Sequence, residues 1–558
     1  MNAQPKYIIF KICDLLDKKD VFNMLLLNKS LKNCVGEYID KKYLLIVRHF
    51  YEDKCRTAKR MYLSVKTFPI GTFQNFDEYM KGLVVHFPQM NSITFYKYFN
   101  QSLDISENAL QGLTELNFGE VFNVKVDKLP DVCPNLRILK FGKNFNQSIN
   151  SFAQKFLFLK YLHFGEDFDE DLNVLGGSLP NLKKLVLGNN FDRNIDGLAG
   201  SFDKLKFLKF GQNFNQDVSA LYKSFKDLRT LIFGDSFDQK MDVFVNSFEK
   251  LEYLKFGANF NQNVEKLVKS FPNLRYLKFG NRYDQKMDKL SDNFPKLLTL
   301  KFGSNFNQPL NAFKNSFVNL HRLVFDYWFD HSIEMLNFQQ LTHLTFGGRN
   351  NKLDVLRSKF PNLTHLEFYE EFNQDVAPIA GCFTKLTHLT FPNRFDQNID
   401  VLINSFPNLL YLKFGWDFNQ DLSLFSNRFK KLQYLIFGGR FSQNMSALAS
   451  SFSNLIYLEF GDYFNENLDV LVNSYPLLKE LVFGSHFKHS LLSLSKSFPK
   501  LYCVRNHKHK CKNMEQFALL HEENYKNYKN CKNYKNYKFY KNYKNYKNYK
   551  NSKNGKTQ

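Results

Sequence analysis

The chain repeats one phrase at a fixed distance. "LKFGANFNQNV" at Leu254–Val264 returns one unit later as "LKFGNRYDQKM", and Phe256 is followed at 23-residue steps by Phe279, Phe302 and Phe325. The same register runs back through Phe233, Phe210, Leu187, Phe164, Phe141 and Phe118 to Phe95. It runs on through Phe346, Phe368, Phe391, Phe414, Phe437 and Phe460 to Phe483. Of these eighteen apolar anchors, only the two steps flanking Phe346 are shorter than 23. So short a unit cannot bury its own apolar face, so its copies must stack into a solenoid and cannot fold as independent globules.

Within one unit, Tyr276, Leu277, Lys278 and Phe279 alternate polar and apolar, the period of a half-buried strand. Gly280 follows, and fourteen of the eighteen anchors carry Gly at that place, which is expected to let the chain leave the strand in a tight turn. The Phe of the next phrase (Phe260, Phe306, Phe418) is expected in the core beside the anchor. Its Asn is expected to bond its own turn and its stacked neighbours. Ile399, Leu402 and Phe406 are spaced for one helical face, with Asp400, Asp242, Asp288, Asn311 and Asp469 as expected N-caps and Pro407 as the stop. The expected fold is an α/β solenoid: a leucine-rich-repeat-like array of 23-residue repeats with a concave parallel sheet. Phe76, Asp77, Met80, Leu83, Phe87 and Pro88 stay in repeat phase with Thr72 at the anchor, and "SFPKLYCV" forms a last half-repeat. The solenoid is therefore expected over residues 64–504.

A chain of 558 residues ordinarily divides into several domains, but an array grows in one dimension, and its 62 Phe can fill a continuous core. The net charge of +22 suggests nucleic acid until it is located: residues 524–558 hold eleven Lys and no Asp or Glu, half of the excess. The eight Cys form no CxxC pair, which fits a reducing compartment. "KYIIFKICDLL" is broken by Lys11 and Asp14 and does not read as a secretory leader, and no apolar run approaches the ~18 residues of a membrane span. The chain reads as soluble and cytoplasmic. No phosphate loop, nucleophile motif or acid–base pair stands out, so neither an enzyme nor a cofactor is expected.

"FNQPL" at Phe306–Leu310, repeated along residues 64–504, resembles the FNIP repeat, a leucine-rich-type repeat of social amoebae and of giant viruses of amoebae. "PKYIIFKICDLLDKKDVFNMLLLNKSLKN" resembles an F-box, and the whole layout resembles the F-box and FNIP repeat-containing proteins of the mimivirus type. The resemblance implies that residues 1–48 are a small helical module docking a Skp-type adaptor of a cullin ubiquitin ligase. Pro5, Ile8, Ile9, Ile12, Leu16, Val21, Leu25 and Leu27 would form the adaptor-binding stripe. The other reading of these helices is a cap on the first rung of the solenoid. Residues 49–63 are then a connector and 505–523 a frayed C-terminal cap. Residues 524–558, a Tyr-Lys-Asn low-complexity tail almost without aliphatic side chains, are expected to be disordered.

Candidate target-binding residues lie at outward strand positions. Tyr411, Tyr434 and Tyr457 form one column, Tyr253 and Tyr276 another, and Lys255, Lys278 and Lys301 a basic stripe suited to an acidic partner. His343, His365 and His388 share one strand position in successive rungs, readable as a solvated column or as a metal ladder. Cys503, His507, His509 and Cys511 offer four zinc-type ligands, although their spacing matches no usual zinc pattern. Three functions remain: a substrate receptor of a ubiquitin ligase, an interaction scaffold, and nucleic-acid binding through the basic tail, the tail's periodicity being equally what slippage in an A/T-rich coding repeat leaves.

Overall fold

The structure, a computed structural model, describes most of residues 89–489, together with Leu44–Leu45, Arg60–Leu63, Met80, Val84, Phe498, Leu501 and Cys503–Asn506. Pro5, Ile8, Ile9, Ile12, Leu16, Val21, Leu25 and Leu27 lie outside the described residues, as do Thr72, Phe76, Asp288, Asn311, His507, His509, Cys511 and the 524–558 segment. The chain divides into two compact units at Leu320/His321.

Each unit is a parallel β-solenoid. In the first, twelve described strands run from Leu44–Leu45 and Arg60–Leu63 through Ser92–Phe95 to Thr299–Lys301. In the second, nine run from Arg322–Val324 to Cys503–Asn506. Each strand pairs in parallel with the next within its unit, and the register follows the sequence period, Tyr253 facing Tyr276 and Tyr276 facing Thr299. The first unit's ladder begins before residue 64, because Arg60–Leu63 pairs with Ser92–Phe95 and Leu63 lies opposite Phe95. That rung spans 32 residues (63 to 95), so the place expected for Thr72 belongs to Leu63, and strand pairing reaches into the segment expected to be a connector. At the other end Glu480–Phe483 pairs with Cys503–Asn506, Phe483 facing Asn506.

Most strands are only three residues long, so loops make up most of each rung and large flat side chains must fill it. Phe256 stacks on Phe260 of its own rung at 3.9 Å. The two rings then repeat as parallel columns, Phe256 lying 5.7 Å from Phe279 and Phe237 lying 6.0 Å from Phe260. A planar ring can be copied at a rung spacing near 6 Å with little rotation, and each ring removes ~150–250 Å² from water. A third column, Phe202 on Phe225 and Phe248 on Phe271, lines the far side of the core.

The glycine after the anchor opens the expected tight turn, Gly280 O accepting the Tyr283 N–H at 3.3 Å, but the turn is not why it is glycine. None of Gly142, Gly234, Gly257, Gly280 or Gly438 has a positive φ; instead a Cβ on Gly280 would lie 1.5 Å from the carbonyl oxygen of Gly257, one rung below. The column is glycine because consecutive backbones touch there. Positive φ occurs elsewhere, at Gly177, Gly200 and Gly381, where a Cβ would meet nothing.

The Asn or Asp of the phrase bonds the next rung. Asn261 Oδ1 accepts the Asp284 N–H at 2.9 Å and the Gln285 Nε2–H at 3.0 Å; Asp284 Oδ1 accepts the Asn307 N–H and the Gln308 Nε2–H, both at 2.9 Å. The ladder runs from Asn100 to Asn307 in the first unit and resumes at Asn373 in the second. Only an acceptor oxygen is required, so Asn and Asp interchange along it. A second ladder uses the Asn of "PNL", Asn273 Nδ2 donating to Glu249 O at 2.7 Å and Asn408 Nδ2 to Thr384 O at 2.9 Å.

The helical piece is a single 3₁₀ turn, as at Asp242–Phe244, Asp400–Leu402 and Asp469–Leu471. Asp242, Asp400 and Asp469 are therefore the first residues of the turn and not its caps. The capping acceptor stands two residues earlier, Asn398 Oδ1 taking the Asp400 N–H at 2.7 Å and Asn467 Oδ1 the Asp469 N–H at 3.0 Å. The buried residue between them, Ile399 or Leu468, enters the core and leaves no length for a longer helix.

One ring departs from the apolar rule. Tyr283 fills the Phe260 slot, fully buried and 4.0 Å from Phe279, and its hydroxyl finds no hydrogen-bond partner among the described residues. Tyr475, equally buried, donates to Leu448 O at 2.6 Å. Leaving a buried hydroxyl unpaired costs about 1–3 kcal/mol. Tyr283→Phe should therefore raise the melting temperature, whereas Tyr475→Phe should leave it unchanged or lower it. Destabilisation by Tyr283→Phe would contradict the assignment.

Candidate functional site

The surface most suited to recognition is the outward face of the strands, because three-residue strands with an inward Leu place two side chains per rung at fixed positions. Tyr253–Leu254–Lys255 and Tyr276–Leu277–Lys278 show it: Leu254 and Leu277 are buried, and the flanking Tyr and Lys are half-buried.

In the first unit the structure brings together the expected column and stripe. Tyr253 and Tyr276 stack at 4.2 Å, Lys255, Lys278 and Lys301 are register partners on consecutive strands, and Lys301 Nζ stands 5.8 Å from the Tyr276 ring. The stripe is wider than those three residues. Lys140 and Lys184 approach the Tyr161 ring from the two neighbouring rungs at 5.4 and 4.7 Å. His163, the next outward residue on the Tyr161 strand, has its pKa lowered by burial and by Lys140, Lys209 and Lys184 around it. The sequence hides these lysines because His163 and Val186 separate Lys140 from Lys209 in one column while Lys184 stands between Tyr161 and Phe207 in another, so no run of three appears.

In the second unit Tyr411, Tyr434 and Tyr457 are register partners with ring centroids 6.0 and 5.8 Å apart. Their rings tilt by 39° and 33°, unlike the near-parallel pair in the first unit. The Tyr457 hydroxyl bonds the Glu459 carboxylate. Burial holds the Tyr411 phenol well above its usual range, so it stays a neutral donor.

His343, His365 and His388 continue this column, stacked at 3.9 and 4.0 Å. Each Nδ1 lies 2.9 Å from the hydroxyl of the preceding Thr (Thr342, Thr364, Thr387). Those hydroxyls donate their single protons to His321 O, Thr342 O and Thr364 O at 3.0–3.1 Å, so they accept from the imidazoles. Each His thus carries its proton on Nδ1 and keeps Nε2 as the acceptor. Parallel rings send their Nε2 lone pairs out side by side, which does not converge on one ion, and among the described residues no group of three or more His, Cys, Asp or Glu is arranged to hold a metal. Cys503 sits in the terminal strand, its three proposed co-ligands being outside the described residues. No helix among the described residues is long and apolar enough to cross a membrane.

Among proteins of known structure, the chain is similar to viral CroV588, whose crystal structure is that of a novel circular leucine-rich-repeat (LRR) protein. The identity is 28%, the TM-score 0.53, and the match covers 75% of this chain and 66% of that one. It is also similar to the TLR13–ssRNA13 complex, at 15% identity and TM-score 0.53, covering 80% of this chain and 65% of that one. The fold is a leucine-rich-repeat-type solenoid. The chain spans about two thirds of the length of either protein. No family model and no curated protein matches the sequence.

Burial first, then the charges of Arg322, His388 and His321, lower the pKa of His343; burial first, then His343, His388 and Arg322, lower that of His365 to about 4 from the ordinary 6.5; burial alone lowers His388. The unfolded chain then binds more protons than the folded one between pH 6.5 and about 4, so stability present above that window falls as pH drops through it. His365→Tyr, which puts the side chain of Tyr411 into the same column, should flatten the pH dependence of the melting temperature in that window. An unchanged slope would show that the column does not titrate as a buried, mutually repelling set.

Proposed function

We propose that this chain is a non-enzymatic recognition subunit. Its solenoid holds a target protein on the strand face, and residues 1–48 dock a Skp-type adaptor of a cullin ubiquitin ligase. The recognition half rests on one observation above the others: ordered outward columns, Tyr253 on Tyr276 and Tyr411 through Tyr457, fixed by a core in which anchor, glycine and Asn/Asp ladders repeat at every regular rung. Side chains held in place lose little entropy on binding, which is what a recognition surface requires. The 28% identity to CroV588, a leucine-rich-repeat protein, is consistent with this reading. The adaptor half rests on the F-box-like pattern of Pro5, Ile8, Ile9, Ile12, Leu16, Val21, Leu25 and Leu27 in the sequence.

Combining Pro5→Ala with Ile9→Asp puts an unpaired carboxylate into the adaptor groove, where desolvation is costly. The double variant should lose co-purification of the adaptor from amoebal lysate while keeping the melting temperature of the wild type. If the wild type brings down no adaptor and the variant melts lower, residues 1–48 cap the first rung and the protein is an interaction scaffold with no part in ubiquitin transfer.

A further inference from the structure

We propose that the strand face of the first unit, from Arg137 to Lys301, is a docking surface for an acidic polypeptide segment. This deepens the reading of the solenoid as a target-holding surface and rests on it. Three rows run along the face. The residue entering each strand is basic in nearly every rung, with Arg137, Lys160, Lys183, Lys206, Arg229 and Arg275 exposed on register-paired strands. The last outward strand position adds Lys140, Lys209, Lys255, Lys278 and Lys301. On the same rows from residue 137 to 301 the only acidic side chain is Glu252, which pairs with Arg229 at 2.8 Å. Glu115, one rung earlier, lies 3.7 Å from Lys140. His163 lies inside the face, its pKa lowered first by burial and then by Lys140, Lys209 and Lys184.

The second unit presents the same positions with little net charge, Arg322, Lys413, Lys479 and Arg505 being set against Glu367, Glu459 and Glu480. Thr342, Thr364 and Thr387 enter its strands where the first unit has Arg or Lys, and Glu367 and Glu459 occupy the row where the first unit has Lys. A polyanion therefore has a reason to choose one unit.

Between the two basic rows lie the rings, and their arrangement selects among anions. Tyr253 and Tyr276 cover each other at 4.2 Å, Tyr161 has Lys140 and Lys184 over it, and Lys184 also stands 4.4 Å from the Phe207 ring. Single-stranded nucleic acid gains much of its affinity by stacking bases on open aromatic faces. Here each ring already has a face covered, Tyr253 and Tyr276 by each other and Tyr161 and Phe207 by ammonium groups, which leaves less open surface for a base. What remains is a strip of ammonium, guanidinium and phenol donors, which matches carboxylates held along an extended chain.

The test uses the full chain and fluorescence anisotropy at low and near-physiological salt, with a labelled oligoglutamate peptide and an oligouridylate of equal charge. One variant combines Lys160→Glu, Lys183→Glu and Lys206→Glu; a charge-matched control combines Lys385→Glu, Lys430→Glu and Lys488→Glu in the second unit. The face variant should bind oligoglutamate about tenfold more weakly or worse, and the control within about twofold of the wild type. Carbodiimide coupling, which joins carboxylates to nearby amines, should label Lys160, Lys183, Lys206 or Lys209 in the wild type. Thermal melting checks that the variants fold, and Lys183→Glu alone replaces the triple exchange if they do not. Equal affinity in the face variant, or coupling confined to the lysines of residues 524–558, overturns the proposal. Tighter binding of oligouridylate that the face variant abolishes also overturns it and makes the face a nucleic-acid surface. A chain that captures the adaptor but binds no oligoglutamate keeps the proposed function and loses only this inference.

Discussion

Backbone N–H groups that leave a three-residue strand cannot be satisfied by the sheet, and the Asn or Asp after the second core Phe satisfies one of them rung after rung. Its Oδ1 takes the main-chain N–H and the Gln side chain of the following rung, as Asp238 does from Asn261 at 2.8 Å and from Gln262 at 3.0 Å. Buried and half-buried polar groups left unpaired are expensive, so this oxygen fixes both the spacing and the phase of successive rungs. The glycine column enforces the same spacing from the other side, since the close backbone approach at Gly257 and Gly280 leaves no room for a Cβ. With phase and spacing fixed, the Phe columns stack and the outward strand positions line up into rows.

The architecture was legible because it is written many times over. Any single "FNQ" carries little information, but a constant 23-residue step fixes which residues share a row, and Tyr253 with Tyr276 or Lys255 with Lys278 followed directly from it. The errors came where one copy had to be read alone. Asp400 looks like an N-cap because it precedes an apolar pair, yet the acceptor is Asn398, since the turn is 3₁₀ and its entry residue Ile399 is buried. Thr72 looks like an anchor by arithmetic, yet the longer first rung puts Leu63 opposite Phe95. The glycine reads as conformational in one repeat, but its cause is contact between rungs, which a single repeat cannot reveal.

Interruption of the pattern is also informative. Around Phe346 the steps shorten, Asp326, Tyr369 and Pro392 stand where other rungs have glycine, and the Phe346 and Phe368 rings tilt by 57° where other pairs are near-parallel. Tyr369 packs where a Cβ on Gly347 would come within 2.8 Å, so the backbone contact of regular rungs is replaced by a side chain. The outward rows change character there as well. Tyr and Lys give way to the His343–His388 stack, whose tautomers are set by a repeated Thr. Two units built on one repeat thus offer surfaces of different charge, and the difference lies wholly in positions that the core leaves free to vary.

An acceptor oxygen, not a particular residue, holds the rungs in phase. Asp238 is the place to test it, because its ladder neighbours Asn215 and Asn261 are both uncharged and its two donors are known. Denaturant unfolding of Asp238→Asn and Asp238→Ala measures the claim directly. Asn, which keeps Oδ1, should unfold with the wild type, while Ala should lose about 1–3 kcal/mol by stranding the Asn261 N–H and the Gln262 amide. Equal loss in the two variants would contradict it and assign the ladder's stability to charge.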